Sequence, residues 1–266
     1  MNRLALGLEY TGTNYHGWQS QENNHNIVTV QTELERALAQ VANHPVSTVC
    51  AGRTDAGVHA SAQVVHCDVE SERTMRGWVF GCNTILPRDM RVLWAKLVPA
   101  DFDARRSATQ RRYTYVVYNN SIRPGLLNQY VSWHYSHLDV ETMHSAAQDW
   151  LGSHDFSSFR AAGCQSLSPV RDLFSITVKR RGELVIFDII ANAFLYHMVR
   201  NMVGALLMIG NGSRPSTWAR EVLVAKDRTK AGVTAPPQGL YLSGVSYAPS
   251  LQIPAYEANL WFFNQG

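Results

Sequence analysis

The chain has 266 residues, 45% hydrophobic and 17% charged, with a net charge of +3. That is ordinary globular composition, enough for one large or two smaller cored domains, and its charge falls short of the strongly basic balance of many nucleic-acid binders. Cys50, Cys67, Cys82 and Cys164 form no Cys-x-x-Cys pair, which argues against a zinc ribbon, and the longest apolar run, Met202 to Ile209, is too short to cross a bilayer. With no apolar core or cleavage site of a signal peptide at the N-terminus, the expectation is a cytoplasmic protein with reduced thiols and no membrane.

Leu4, Leu6 and Leu8 alternate with smaller or polar residues, which predicts a strand with one buried face, and Thr11 to Asn14 turns the chain. Tyr15 and Trp18 follow, better suited to closing a core edge than to stacking on a base. Val30, Leu34, Ala37, Leu38 and Val41 form an apolar stripe, predicting a helix over Val30–Ala42 with Thr29 as N-cap and Pro45 as its stop. Strands are expected around Gln63–Val69 and Arg91–Val98, with a helix over Thr74–Cys82 and a loop over Asn83–Pro87 between them. Pro99 to Ala108 is polar and aperiodic, the natural boundary between domains 1–105 and 106–266. The second half reads as a tyrosine-rich strand over Arg112–Tyr118 and a helix capped by Asp139 and ending near Leu151. Strands at Asp172–Lys179 and Leu184–Ile190 follow, then an apolar helix over Phe194–Ile209. Pro215 opens a short helix, and a last strand runs from Leu240 to Val245. Two related α+β units fit this alternation.

Between the strand-like stretches of the first half stands Gly52-Arg53-Thr54-Asp55-Ala56-Gly57-Val58-His59-Ala60. Its glycines allow a tight backbone that presents Asp55, and Arg53 can hold a carboxylate or a phosphate beside it. In the apolar helix, Arg200 lies beside Leu195, Met198, Val199, Met202 and Val203 on a face shared with His197, Asn201 and Gly204; so much apolar surface demands a partner for its charge. Arg105, Arg106, Arg111, Arg112 and Arg123 form one basic group, Arg171, Lys179, Arg180 and Arg181 a second. His134-x-x-His137 has no acidic or cysteine partner in a suggestive arrangement, so no metal site is expected, and no phosphate-binding Gly-x-x-x-x-Gly-Lys loop is present.

The Asp55 string resembles the catalytic motif of the TruA-type tRNA pseudouridine synthases. The resemblance extends in order through Asn14-Tyr15-His16-Gly17-Trp18-Gln19, Phe102-Asp103-Ala104-Arg105-Arg106-Ser107-Ala108, Arg111-Arg112-Tyr113-Thr114-Tyr115, Asp155 to Arg160, His197-Met198-Val199-Arg200-Asn201 and Gly239-Leu240-Tyr241-Leu242. One departure is Val28-Thr29-Val30-Gln31, where the family usually has a basic residue before the Val-Gln. The resemblance implies an α+β fold of two ferredoxin-like units sharing an extended antiparallel sheet with helices packed on it, and a catalytic cleft between them. It implies isomerisation of uridine to pseudouridine at positions 38, 39 and 40 in the anticodon arm of tRNA, without cofactor, by a homodimer. It implies Asp55 as nucleophile, Arg200 as its ion-pair partner, Arg53 contacting the RNA or helping to extrude the base, Tyr113 on the flipped base with access to its C5 proton, and Leu240 as the apolar pocket wall. Arg105 and Arg112 are the expected phosphate contacts. The alternative is a non-catalytic RNA-binding module of two ferredoxin-like units.

Overall fold

The computed structural model describes residues 2–21 and 27–255. It divides into two compact units, one running to Thr109 and resuming at Tyr241, the other Gln110–Leu240.

The first unit contains β1 (Asn2–Tyr10), α1 (Val30–Ala42), β2 (Val49–Cys50), β3 (His59–Val69), α2 (Met75–Ile85) and β4 (Met90–Val98). β1 pairs antiparallel with β3 on one side and β4 on the other, and β2 adds antiparallel to β3. The order β4-β1-β3-β2 is the ferredoxin-like arrangement. In α1 the Thr29 hydroxyl accepts the Thr32 N–H while Thr32 Oγ1 accepts the Thr29 N–H, satisfying two of the first turn's donors. Val30, Leu34, Ala37 and Leu38 bury the apolar stripe. The helix ends on Asn43 in the left-handed region (φ 61°), before Pro45 can act. α2 continues past Cys82 through Ile85, so Asn83 is helical rather than in a loop. Its side chain holds α2 to β4, donating to Val92 O and accepting from Val92 N, both at 2.8 Å.

The second unit contains β5 (Ala108–Asn119), β6 (Ser132–His134), α3 (Val140–Ala147), β7 (Gly152–Asp155), β8 (Val170–Arg181), β9 (Leu184–Ala191), α4 (Met198–Gly210) and α5 (Trp218–Ala225). β5, β9, β8 and β7 lie side by side and antiparallel, with β6 parallel to β5. The series β5-α3-β8-β9-α4 repeats β1-α1-β2-β3-α2, and in both the third strand lies between the first two. Three helix boundaries differ from expectation. α4 starts at Met198, not Phe194, because His197 is left-handed (φ 59°). α3 stops at Ala147 and gives way to a short 3-10 turn, and Gly152 (φ 98°) opens β7 instead of capping a longer helix. Pro215 lies ahead of α5, which starts at Trp218.

The last strand, β10 (Leu240–Tyr247), belongs from Tyr241 onward to the first unit, not to the second domain as the sequence suggests. Tyr241 pairs in parallel with His59 and Leu242 with Ala60. Val245 and Tyr247 pack on buried Ala5, Ala51, Val64, Phe102 and Ala104, and Tyr247 donates its hydroxyl to Ala104 O at 2.7 Å. With β3–β10 and β5–β6 parallel, the strand pairing is mixed within an α+β fold.

Candidate active site

The loop carrying Asp55 joins β2 to β3, and the Asn14–Trp18 segment is its floor. Trp18 N donates to Thr54 O at 2.9 Å, and Gly57 N donates to Tyr15 O at 3.3 Å, so main-chain bonds grip the loop on both sides of Asp55. Gly17 makes this possible: its φ is 88°, and a Cβ there would stand 2.8 Å from Thr54 O. Gly57, at φ 77°, supplies the turn that returns the chain to β3. Tyr15 and Trp18 are buried, Tyr15 donating its hydroxyl to Asp89 at 2.7 Å, so both close the core as expected. Beneath the loop, Tyr10 and Thr54 share a hydroxyl hydrogen bond of 2.8 Å, and buried Gln63 donates to Gly52 O (2.6 Å) and to Tyr10 (3.4 Å). Burial pushes the Tyr10 hydroxyl well up from its ordinary value, so it stays a neutral hydrogen-bonding group. On this base Thr54 is buried, Asp55 half-buried and Arg53 exposed. Val28 is exposed, and its carbonyl accepts from His16 N at 3.0 Å.

Arg105 is presented by the same unit. Phe102 and Ala104 are buried, while Asp103 accepts the Arg105 and Arg106 N–H groups at 2.8 and 2.9 Å, turning both arginines outward. Burial pushes the Cys50 thiol up to about 12, and the charges of Arg53 and Arg105 oppose that rise. Both guanidinium charges therefore act on the foot of the Asp55 loop.

In the second unit the surroundings of Arg200 are built by its neighbour Asn201. Asn201 is fully buried; its amide donates to Phe159 O at 2.8 Å and its oxygen accepts from Arg228 (2.9 Å) and Thr234 (2.7 Å). This ties α4 to the Asp155–Arg160 motif and to residues 228–235. Ala235 N then donates to Arg200 O (3.1 Å) and Arg200 Nε donates to Ala235 O (2.8 Å). Close approach of this segment requires Gly204, where a Cβ would meet Val233 O at 1.9 Å. His197 is not on the helical face with Arg200: it precedes the helix, its carbonyl accepting from Asn201 N at 2.9 Å. Tyr113 is buried on β5, its ring edge-on to Phe194 at 5.0 Å. Tyr115 is fully buried, donates to Pro236 O at 2.8 Å, and lies near enough to Arg200 to feel its charge. Leu240 is buried, preceded by Gly239, whose Cβ would meet Val116 O at 2.7 Å.

Arg112, an expected phosphate contact, is ion-paired within the chain. Its Nε donates to Asp188 at 2.7 Å, and Thr114 donates to the same carboxylate oxygen at 3.2 Å. A phosphate at Arg112 would have to compete with Asp188. Arg111, in the same basic group, is buried and donates to Asn192 O at 2.8 Å. Sequence reasoning missed Gln63 and Asn201 as organisers; the only signal was a polar side chain inside an apolar run. Among the described residues no group of His, Cys, Asp or Glu is clustered to hold a metal, and no helix is long and apolar enough to cross a membrane.

The tRNA pseudouridine synthase family model matches residues 8–105 and 146–248. The matched stretches contain Arg53, Asp55, Arg105, Arg200 and Leu240, while Arg112 and Tyr113 fall between them. The tRNA pseudouridine synthase A of Coxiella burnetii (strain Dugway 5J108-111) is 54% identical over 254 residues, covering 96% of each chain. The protein of the same name from Vibrio parahaemolyticus serotype O3:K6 is 53% identical over 252 residues, covering 95% of this chain and 94% of its own. That of Pseudoalteromonas atlantica is 52% identical over 252 residues, covering 95% of both. With the Asp55 loop and α4 both inside the matched stretches, the chain belongs to the tRNA pseudouridine synthase family, whose members are isomerases.

Proposed function

We propose that this chain converts uridine to pseudouridine at positions 38, 39 and 40 of the tRNA anticodon stem-loop, with Asp55 as nucleophile. The observation that carries the reading is the Asp55 loop itself: a half-buried carboxylate on a backbone clamped at Thr54 and Gly57, in a chain of this family. The reaction breaks the bond from N1 to the sugar, turns the uracil and joins C5 to the same sugar carbon. C5 gives up a proton and N1 gains one, so the product is an isomer and no redox partner or group donor enters. As nucleophile, the Asp55 carboxylate forms a transient bond to the substrate and is released when the C5–sugar bond is made. Arg200 is its cationic partner. Tyr113 packs on the extruded base and accepts its C5 proton, and Leu240 walls the pocket. Arg53 and Arg105 meet the RNA backbone, where cations fix position without reading sequence. Extruding the uridine costs a few kcal/mol of unstacking. The working enzyme is a cytoplasmic homodimer.

The test is tritium release from C5-tritiated uridine in bulk tRNA with no added cofactor, followed by mapping of the modified positions. Release confined to 38, 39 and 40 supports the whole reading. Release elsewhere overturns the site preference, and no release while tRNA still binds favours a pure RNA-binding module.

A further inference from the structure

Tyr196 and His197 lie immediately before α4, one turn upstream of Arg200. His197 is left-handed (φ 59°), a conformation uncommon for a residue with a Cβ. Main-chain contacts hold the segment on both sides. Ala161 N donates to Tyr196 O at 3.0 Å, Tyr196 N donates to Cys164 Sγ at 3.5 Å, and Met198 N donates to Leu195 O at 3.0 Å. The segment that grips Tyr196 is itself tied down, with Arg160 Nη2 donating to Cys164 O at 2.9 Å and Ser166 O at 2.7 Å, and Arg171 Nη2 donating to Ser166 Oγ at 2.6 Å. On this fixed backbone the Tyr196 ring rests on the imidazole of His197, centroids 4.0 Å apart and planes tilted by 35°, yet Tyr196 remains 45% exposed. The core gains little from that placement. The 160–171 segment that holds Tyr196 carries two cations: Arg160 bonds to Cys164 O, and Arg160 and Cys164 both bear electrostatically on Arg171.

Resting on the functional reading above, we propose that the Tyr196–His197 ring pair is a stacking platform for an unpaired base of the tRNA loop next to the target uridine. A rigid, half-exposed aromatic face held by an arginine-bearing loop suits single-stranded RNA, which presents a π-face on each base and a phosphate between bases. The left-handed turn at His197 keeps the platform at a fixed offset from Arg200, so a base seated on Tyr196 registers the strand against the catalytic arginine.

The experiment measures the dissociation constant of a labelled anticodon stem-loop, with KM and kcat on full tRNA, for wild type and Tyr196→Ala, Tyr196→Leu and Tyr196→Phe. Losing one stacked base weakens binding by about 5- to 150-fold. Tyr196→Ala should show that loss and raise KM more than it lowers kcat. Tyr196→Leu should stay weak although it restores apolar area, and Tyr196→Phe should recover because its ring face persists. Equal affinities for the Leu and Phe variants, or an Ala variant that binds like wild type, overturn the platform. The Leu-to-Phe contrast holds even if truncation lowers stability. It also separates this idea from the functional reading: tritium release by wild type tests the chemistry, and the affinity contrast decides the platform whether or not tritium is released.

Discussion

Replacing Asn201 by Ala tests whether one buried amide holds the Arg200 region together. The side chain joins three segments: α4, the carbonyl of Phe159, and the Arg228–Thr234 stretch. Alanine leaves the buried Phe159 carbonyl without this donor, a loss of about 1–3 kcal/mol, and takes a charge-assisted bond of about 1.5–3 kcal/mol from Arg228. Arg228 keeps its bonds to Gly232 O and Thr234 Oγ1, both 2.8 Å, which limits the second loss. The sum is about 3–5 kcal/mol, a large share of the roughly 5–15 kcal/mol that stabilises a typical domain. At about 2–4 °C per kcal/mol for chains of this size, the melting midpoint should fall by about 10 °C. Urea and thermal unfolding followed by circular dichroism measure it, and a double-mutant cycle with Thr234→Val isolates the shared part. A loss below about 1 kcal/mol would refute the reasoning, because it would mean that the three segments re-pair without the amide. Activity should fall further than stability alone explains, since Arg200 is held through the same segment at Ala235.

Asp55→Asn should keep the fold and bind tRNA at least as well as wild type, because an anion facing phosphates has gone, while tritium release nearly vanishes; near-wild-type turnover would remove Asp55 from the chemistry. Arg105→Ala should make the salt dependence of tRNA binding shallower by about one unit on a log–log plot, whereas Arg112→Ala should change it less, because Asp188 already neutralises that cation. Equal changes in the two would show that phosphate displaces Asp188. Burial pushes the Cys50, Cys67 and Cys82 thiols up to about 12 from an ordinary 9.0, so the folded chain holds protons that the unfolded chain releases. The thiols' contribution to stability should be complete below about pH 9 and decline from there toward pH 12, read as unfolding midpoints over the alkaline range. Burial also raises the Cys164 thiol, but hydrogen bonds from the Tyr196 and Ser166 main chain and from Arg160 outweigh it and lower the value. In the native protein Cys164 should therefore react first with a thiol reagent; equal labelling of Cys82 would contradict the burial argument.

α1 was legible to the residue because three independent signals coincide in it: an apolar stripe, a capping threonine, and a glutamate in the first turn. α4 was legible only in part. Phe194 and Leu195 continue its apolar period backward, but the left-handed turn at His197 is imposed by the 161–164 loop, a long-range cause that no local pattern carries. β6 and β7 were missed because Ser132–His134 and Gly152–Asp155 are too short to show alternation. The Asp55 motif was readable because its glycines and charges lie together in the chain. What holds it was not, since Gly17, Tyr10 and Gln63 reach Thr54 and Gly52 across the fold. Arg112 shows the converse limit: its place in a basic group suggested a phosphate contact, and only the β5–β9 register reveals Asp188 opposite Thr114, beside it.

The parallel seating of β10 on β3 has a consequence for how this protein comes off the ribosome. The unit that carries Asp55 is begun first and finished last. Its His59–Tyr241 ring stack, the Tyr247 bond to Ala104, and the Lys96 bonds to Leu251 and Gln252 all wait until the whole of Gln110–Leu240 has been synthesised. Until then the inner edge of β3 near His59 lacks its β10 partner, and the nascent chain carries an open strand edge beside the Asp55 loop. Such sequence-distant pairing slows folding and ties completion of the loop's support to completion of translation. A nascent chain stalled before Tyr241 would thus hold the Asp55 motif without the strand that steadies its base.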